Sequence, residues 1–286
     1  MREPLRWRPA GRVPRAVVRR REGHPPGRVL RVRSCGHRPG TVRPRYTAPA
    51  AVTALGAGVP SVSYADVSYN VGVVTDYRYR GISQTRLKPA LQGGIDYADP
   101  SGFYVGTWAS TIKWIKDIPG GDAQAEIDLY GGYKTEVAKG LTLDVGGLYY
   151  LYPNNKLKDV SGFVDANTFE IYGALSFGPV TAKYSQSTTN LFGFADSKNS
   201  GYFDVTANFD LGDGMTLTPH VGHQTVKRNS AASYTDYSLT LAKDFSGLVL
   251  SGAVIGTDAS KTAYASPVNG KFMGKTMLVV GLKKTF

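Results

Sequence analysis

The sequence predicts an all-β protein: a twelve-stranded antiparallel transmembrane β-barrel preceded by a disordered N-terminal segment. Three observations predict it. Short segments that alternate apolar and polar residues follow one another from about Asp66 to Phe286, the period-two pattern of half-exposed strands. Their connections run long, short, long, short, the pattern of a barrel with tight turns at one rim and extended loops at the other. No run of about 18 apolar residues occurs and helical periodicity is nearly absent, so a chain that enters a bilayer must satisfy its backbone by closing a sheet.

The N-terminus stands apart. Residues 1–65 carry fourteen Arg, no Lys and two acids, Glu3 and Glu22, which accounts for the whole formal charge of +12. Residues 66–286 hold twenty bases and twenty acids and are neutral. The basic excess is therefore not a nucleic-acid footprint on a folded surface, and no nucleic-acid partner is expected. Residues 1–45 are dominated by Arg, Pro, Gly and Val, a composition that sustains neither helix nor strand. They read as a disordered basic tail or as the product of a wrongly assigned start or frame, and the all-Arg bias favours the second. Residues 46–65 have no charge and end in small residues, Ser63 and Ala65, like the tail of a secretory signal peptide. The mature start is expected near Asp66, and residues 66–286 form the barrel. The single cysteine, Cys35, lies in the basic block, so the barrel has neither a disulfide framework nor a cysteine-based site.

The expected strands are 67–79, 89–97, 103–112, 123–134, 141–152, 167–177, 180–187, 201–211, 215–226, 234–245, 248–257 and 276–286. Most have the 9–11 residues that a tilted strand needs to span a bilayer. The alternation is clearest at 203–211, where Phe203, Val205, Ala207, Phe209 and Leu211 share one face and Asp204, Thr206, Asn208 and Asp210 the other. Short turns are marked by Asp99-Pro100-Ser101-Gly102, Lys139-Gly140, Gly178-Pro179, Gly212-Asp213-Gly214 and Ser246-Gly247, where Gly and Pro supply the turn dihedrals. Five short and six long connections put both ends of the barrel on the short-turn, periplasmic side. Aromatics fall where interfacial girdles belong: Tyr97, Phe103, Tyr133, Phe177, Phe209, Phe245 and Phe286 at the inner rim, and Tyr77, Tyr149, Phe169, Phe203 and Tyr237 at the outer. In the last strand Lys284 interrupts an apolar face, a position from which a Lys can snorkel.

The stretch Tyr69 to Thr85, with Thr75-Asp76-Tyr77-Arg78-Tyr79-Arg80-Gly81-Ile82-Ser83-Gln84 at its centre, resembles the opening strand and first loop of the TorF-type putative porins of proteobacteria. Pro89 to Tyr97 and Glu126 to Tyr133 resemble that family as well. The resemblance covers 66–286 and implies an outer-membrane barrel in a Gram-negative cell. It brings no catalytic or ligand-binding residues with it.

The polar faces of the strands name the pore-lining candidates: Asp76, Asp96, Glu126, Asp128, Asp144, Glu170, Asp204 and Asp236, with Arg78 and Lys183 as the inward bases. An excess of carboxylates inside a narrow lumen favours cations, whereas cross-strand pairing would merely fill the barrel. Neutralising Glu126, Asp128 and Glu170 together is expected to reduce a cation preference without unfolding. Arg78 and Arg80 either hold an anionic solute or, the favoured reading, pair with Asp76 and Asp96. Inward glycines Gly72, Gly94, Gly106 and Gly146 are expected to leave space. His220 and His223, three apart on a strand, face opposite sides and cannot share a metal. No catalytic set, cofactor motif or metal spacing appears. The expected function is a porin of the bacterial outer membrane that passes small hydrophilic solutes or ions by diffusion. Its partners are membrane lipid, lipopolysaccharide and the barrel-assembly machinery, which reads a terminal strand ending in Phe. The rivals are a non-conducting structural or adhesive barrel, plugged by Tyr130, Tyr150, Tyr172 and Trp108, and an outer-membrane hydrolase.

Overall fold

Alternation along the chain becomes a closed wall of strands in the computed structural model, which describes residues 65–286. The expectations for residues 1–45 and 46–64 lie outside the described residues. Twelve antiparallel strands follow in chain order: β1 (Asp66–Val74), β2 (Ala90–Ala98), β3 (Phe103–Thr111), β4 (Ala125–Ala138), β5 (Leu141–Leu151), β6 (Thr168–Phe177) and β7 (Val180–Ser187). They continue with β8 in two pieces (Gly201–Ala207 and Phe209–Gly212), β9 (Met215–Thr225), β10 (Tyr234–Asp244), β11 (Leu248–Thr257) and β12 (Met277–Thr285). Each pairs with the next, and β12 returns to pair with β1 from Asn70↔Thr285 to Val74↔Gly281, so the sheet closes without an edge. Closure gives every strand two neighbours, which is what lipid demands of a backbone it cannot hydrogen-bond.

The two faces of the wall have opposite chemistry. Val67, Tyr69, Val71 and Val73 of β1 point outward and are exposed, as are Leu278, Val280 and Leu282 of β12. Their strand neighbours in the alternation point into the barrel. A continuous apolar exterior of this extent is a lipid-facing surface rather than a water-facing one. Among the described residues no helix is long and apolar enough to cross a membrane; the strands cross instead. Lys284 stays at the rim of the apolar belt and donates to the Ser246 carbonyl, 3.1 Å away, the expected snorkel.

At one rim the turns are short. Asp99 accepts the amide of Ser101 at 2.8 Å, and Gly102 follows at φ 104°, a conformation open to glycine. At the other rim the long connections fold back over the barrel mouth and include a helical turn, Trp114–Asp117, and short 3₁₀ turns at Leu157–Asp159 and Ser230–Ala232.

Two boundaries depart from expectation, and one strand is interrupted. β1 stops at Val74 rather than at 79, because the chain from Thr75 turns into the lumen. β4 runs on to Ala138, with a bulge between Glu136 and Ala138 that absorbs the mismatch with β5. β8 is interrupted at Asn208, whose amide donates to Pro179 O and whose side chain accepts from Thr218.

Candidate functional site: the lumen and its inserted first loop

Residues 75–89 form the first long connection, and they dock inside the barrel. A two-residue ladder, Arg78↔Ser83 and Tyr79↔Ile82, closes a hairpin through Arg80 and Gly81. Both turn residues have positive φ, 45° and 77°, as a tight hairpin turn with right-handed strand twist requires. Gly81 suits this, whereas Arg80 pays roughly 1–2 kcal/mol for it and is held by its contacts. A Cβ on Gly81 would meet the Thr257 side chain of β11 and stand 2.8 Å from Cβ of Asp236 of β10, so the hairpin tip rests against those two strands.

Side chains of the hairpin fasten it to six strands and loops. Tyr77 donates to Glu126 of β4 at 2.5 Å. Tyr79 shares a hydrogen bond with Tyr150 of β5 at 2.5 Å, and Tyr150 donates onward to Glu170 of β6. Arg80 donates to Glu170 at 2.7 Å and to Gln224 of β9 at 2.5 Å, with its guanidinium 4.1 Å from the centre of the Tyr202 ring of β8. Arg78 pairs with Asp76 at 2.5 Å and donates to the carbonyls of Gly81, Met273 and Lys275, which ties the hairpin to the last long loop. Behind it Arg86 grips Asp117 through two donors. Tyr77, Arg78 and Arg80 are buried by this docking. A buried ion pair is tolerable only when its remaining donors and acceptors are satisfied, and here backbone carbonyls and Gln224 complete most of the set.

Below the hairpin, toward the short turns, the wall is built differently. Tyr104 stands opposite Gly132, Tyr130 opposite Gly106 and Tyr172 opposite Gly146 in the register. Each ring lies over its glycine: a Cβ on Gly106 would fall 2.6 Å from the Tyr130 ring. The hydroxyls are tied to the wall as well, Tyr104 to Asp144 at 2.6 Å and to Tyr172, and Tyr130 to Asp96. Rings held flat against the wall cover the glycines without projecting along the radius. Among these tyrosines sit three lysines: Lys134, Lys183 and Lys283. Lys134 faces Asp144 and Lys183 faces Asp204 in the register, and Lys183 lies 4.0 Å from the centre of the Tyr172 ring.

Two further groups lie within the barrel. His220 is buried beside Asp236 (3.5 Å) and Asp204 (3.8 Å), with Tyr202 at 3.2 Å from its Nε2. Asp128 is fully buried, and neither carboxylate oxygen has a hydrogen-bond partner.

The model of the family described as "Bacterial protein of unknown function (Gcw_chp)" matches residues 59–286. The chain belongs to this family. No curated protein matches the Gcw_chp sequence. Among solved structures, similarity is found to the KdgM porin in complex with disordered oligogalacturonate (TM-score 0.47, 8% identity, covering 77% of this chain and 98% of that one). It is also found to the NanC porin (0.47, 10% identity, 77% and 99%) and to LpxR from Salmonella typhimurium (0.41, 12% identity, 77% and 99%). The closed barrel of the Gcw_chp chain stands on its own hydrogen-bonded register.

The structure places Asp96, Glu126, Asp128, Asp144, Glu170, Lys183, Asp204 and Asp236 on the inner face of the strands, and Asp76 and Arg78 in the inserted loop. Arg78 pairs with Asp76 as expected. Arg80 does not pair with Asp96: the hairpin carries it across the lumen to Glu170, while Asp96 accepts from Tyr130. Tyr77 is not part of the outer girdle, since the inward turn at Thr75 buries it against Glu126. The glycines at 106 and 146 do not leave open volume, because tyrosines occupy it. Lys134 and Lys283 join Lys183 as inward bases; their parity within β4 and β12 carries that signal. His220 and His223 do face opposite ways, one buried and one exposed. Among the described residues no group of three His, Cys, Asp or Glu side chains is arranged to hold a metal ion.

Proposed function

We propose that this protein is an outer-membrane porin that passes small hydrophilic solutes or ions by passive diffusion, with its first loop, inserted from the long-loop side, as the constriction. One observation carries the reading: what obstructs the lumen is a connection docked by side-chain contacts, while the wall tyrosines below it lie against glycines. An obstruction of that kind can be altered without touching the strands, unlike a lumen filled by its own wall. The apolar exterior, the short-turn rim that carries both barrel ends, and the resemblance of Thr75–Gln84 to TorF-type porins support the outer membrane as the location. The final strand and Phe286 support handling by the barrel-assembly machinery, and the belt supports contact with lipid and lipopolysaccharide.

The charge pattern supports at most a weak cation preference. Near the short-turn mouth, Asp96, Asp144 and Asp204 are matched by Lys134, Lys183 and Lys283, and around the hairpin Asp76 and Glu170 are matched by Arg78 and Arg80. The carboxylates without a lysine or arginine against them are Glu126, Asp128 and Asp236.

A structural, non-conducting barrel is the second reading, favoured by one observation: the hairpin packs into an apolar cluster with Ile112, Ile115, Leu148, Tyr150 and Leu157, which resembles a permanent core. Single-channel recording separates the two. The wild-type barrel is expected to show small conductance, and replacing residues 77–86 by a short Gly-Ser linker is expected to enlarge it several-fold. A folded, loop-shortened barrel that carries no current would leave the structural reading standing. The hydrolase reading finds little support, since the histidine that neighbours two carboxylates makes its one described side-chain hydrogen bond with a tyrosine.

A further inference from the structure

At the long-loop rim the second and third long connections, residues 112–124 and 152–167, frame an open cavity of about 470 Å³. Its walls hang from two buried anchors. Ala123 and Leu157 are fully buried in one apolar cluster, and the residues on either side of each, Asp122 and Gln124, Lys156 and Lys158, are exposed and line the cavity. The two connections are tied to each other: the Lys156 amide donates to the Gly121 carbonyl at 3.0 Å and the Lys156 ammonium to Asp122 at 3.2 Å. Asn155 braces the third connection, accepting from the Leu157 amide at 2.8 Å and donating to Asp165 at 3.0 Å. Gly121 allows the close approach on the other side, where a Cβ would run into the Ile115 carbonyl. Asp122 and Asn154 stand at positive φ, 76° and 60°, backbone conformations that persist where the surroundings determine them. The cavity is therefore formed before any ligand arrives, which lowers the cost of binding one.

Its chemistry selects the ligand. Two carboxylates, Asp122 and Asp159, are balanced by two ammonium groups, Lys156 and Lys158, so the cavity carries no net charge with which to prefer an anion or a cation. No apolar side chain lines it, which disfavours a lipid or an aromatic ligand. Among the described residues the side chains of Gln124, Asn154, Lys158 and Asp159 make no hydrogen bond or ion pair, so amide and ammonium donors stand unused beside amide and carboxylate acceptors. The group that answers donors and acceptors at once is a hydroxyl, which donates one hydrogen bond and accepts two. The volume is that of a small-ligand site. We propose that this cavity binds a neutral saccharide, with neighbouring hydroxyls of the sugar donating to Asp159 and accepting from Gln124, Asn154 and Lys158. Open to water and without apolar walls, it holds such a ligand weakly and exchanges it fast. The inference goes beyond the channel reading and takes from it only which rim faces the surroundings of the cell; it holds for an open or a closed barrel.

The test uses the full chain refolded in a zwitterionic detergent that carries no sugar headgroup. Saturation-transfer NMR is recorded with the methyl glycosides of glucose, galactose, mannose and N-acetylglucosamine, and with glucuronate and glucosamine as charged counterparts. At least one neutral glycoside is expected to receive saturable transfer, and the charged sugars are expected to bind no better. Gln124→Ala and Asp159→Ala are each expected to weaken that binding several-fold and the double variant to abolish it. Both remove exposed, unbonded side chains, so the melting transition should stay where it is. Lys261→Ala, an exposed change in the last long connection, is expected to leave the transfer intact. Adding the delipidated core oligosaccharide of lipopolysaccharide separates two sources of the same chemistry: displacement of the glycoside points to the cell's own glycolipid, and its absence to a sugar from outside. No transfer to any neutral glycoside, transfer that survives in the double variant, or a preference for a charged sugar would overturn the site. Conductance does not enter these readings, so a barrel that carries no current keeps the site, and a conducting barrel that ignores every sugar loses it.

Discussion

Arg80 concentrates the energetics of the lumen in one side chain. It sits at a positive φ, spans from the first loop to β6 and β9, and covers the Tyr202 ring. Truncation by Arg80→Ala leaves Glu170 buried without its guanidinium, a loss of about 3–5 kcal/mol where a buried pair is broken. Most of that loss should appear as undocking of the hairpin rather than as unfolding of the strands, because the strands keep their own ladders. The expected outcome is faster proteolytic nicking within 78–88 and a larger conductance, with the melting transition of the barrel little changed; Arg80→Lys restores the charge but not the forked contact and should rescue only in part. Gly146 offers a contrasting residue-scale test. Gly146→Ala places a methyl 2.6 Å from both the Tyr172 ring and the Gly131 carbonyl oxygen, so the ring must turn toward the axis and the backbone of β4 and β5 must also shift. The expected result is a narrower channel and a cost of about 1–3 kcal/mol from overpacking, read as reduced conductance and a lower urea midpoint.

At the scale of elements, each strand is held by closure on one side of its chemistry and by lipid on the other. Leu239 is mid-strand in β10, outward-facing and about half exposed on the bare protein (51%). Leu239→Arg is expected to cost about 2–4 kcal/mol, the magnitude for a basic side chain near the bilayer midplane of a barrel. Reversible urea unfolding in lipid vesicles measures it, and an unchanged midpoint would place this face away from lipid. The strand elements are largely legible in the chain, since ten of the twelve lie within a residue of where alternation puts them, and β4 strays only by overrunning through a bulge. β1 is the instructive failure. Tyr77, Arg78, Tyr79 and Arg80 continue an apparent aromatic–basic alternation, and nothing in a period of two distinguishes a strand that proceeds along the wall from a hairpin that leaves it. The positive φ at Arg80, the feature that turns the hairpin, is set by its contacts with residues 90 and 144 positions away.

For the molecule as a whole, ion preference follows from how charges pair across the lumen. Four of the inward carboxylates have a basic side chain against them or facing them in the register, so a net field comes from few groups. Reversal potentials under a salt gradient are expected to show a weak cation preference that fades as salt rises, because screening shortens the reach of the unmatched charge. Neutralising Glu126, Asp128 and Glu170 together changes more than the field: it also removes the acceptors for Tyr77 and Arg80. The triple variant should therefore lose selectivity and gain conductance together, whereas Asp128→Asn should lose selectivity with conductance little altered. Anion preference in the wild-type barrel would contradict this account.

The class of this protein is written locally. Period-two alternation, turn residues at regular intervals and an apolar face on every segment follow from nearest-neighbour geometry along the chain, so twelve strands and a lipid-facing exterior can be read before any contact is known. The inward parity of Asp96, Glu126, Asp128, Asp144, Glu170, Lys183, Asp204 and Asp236 is readable for the same reason. Partnership is not. That Arg80 meets Glu170 rather than Asp96, that tyrosines cover the inward glycines, and that Asp128 stands without a partner depend on which strands lie across the lumen and on where one loop descends. Those are distances between residues remote in sequence, and only barrel closure brings them together.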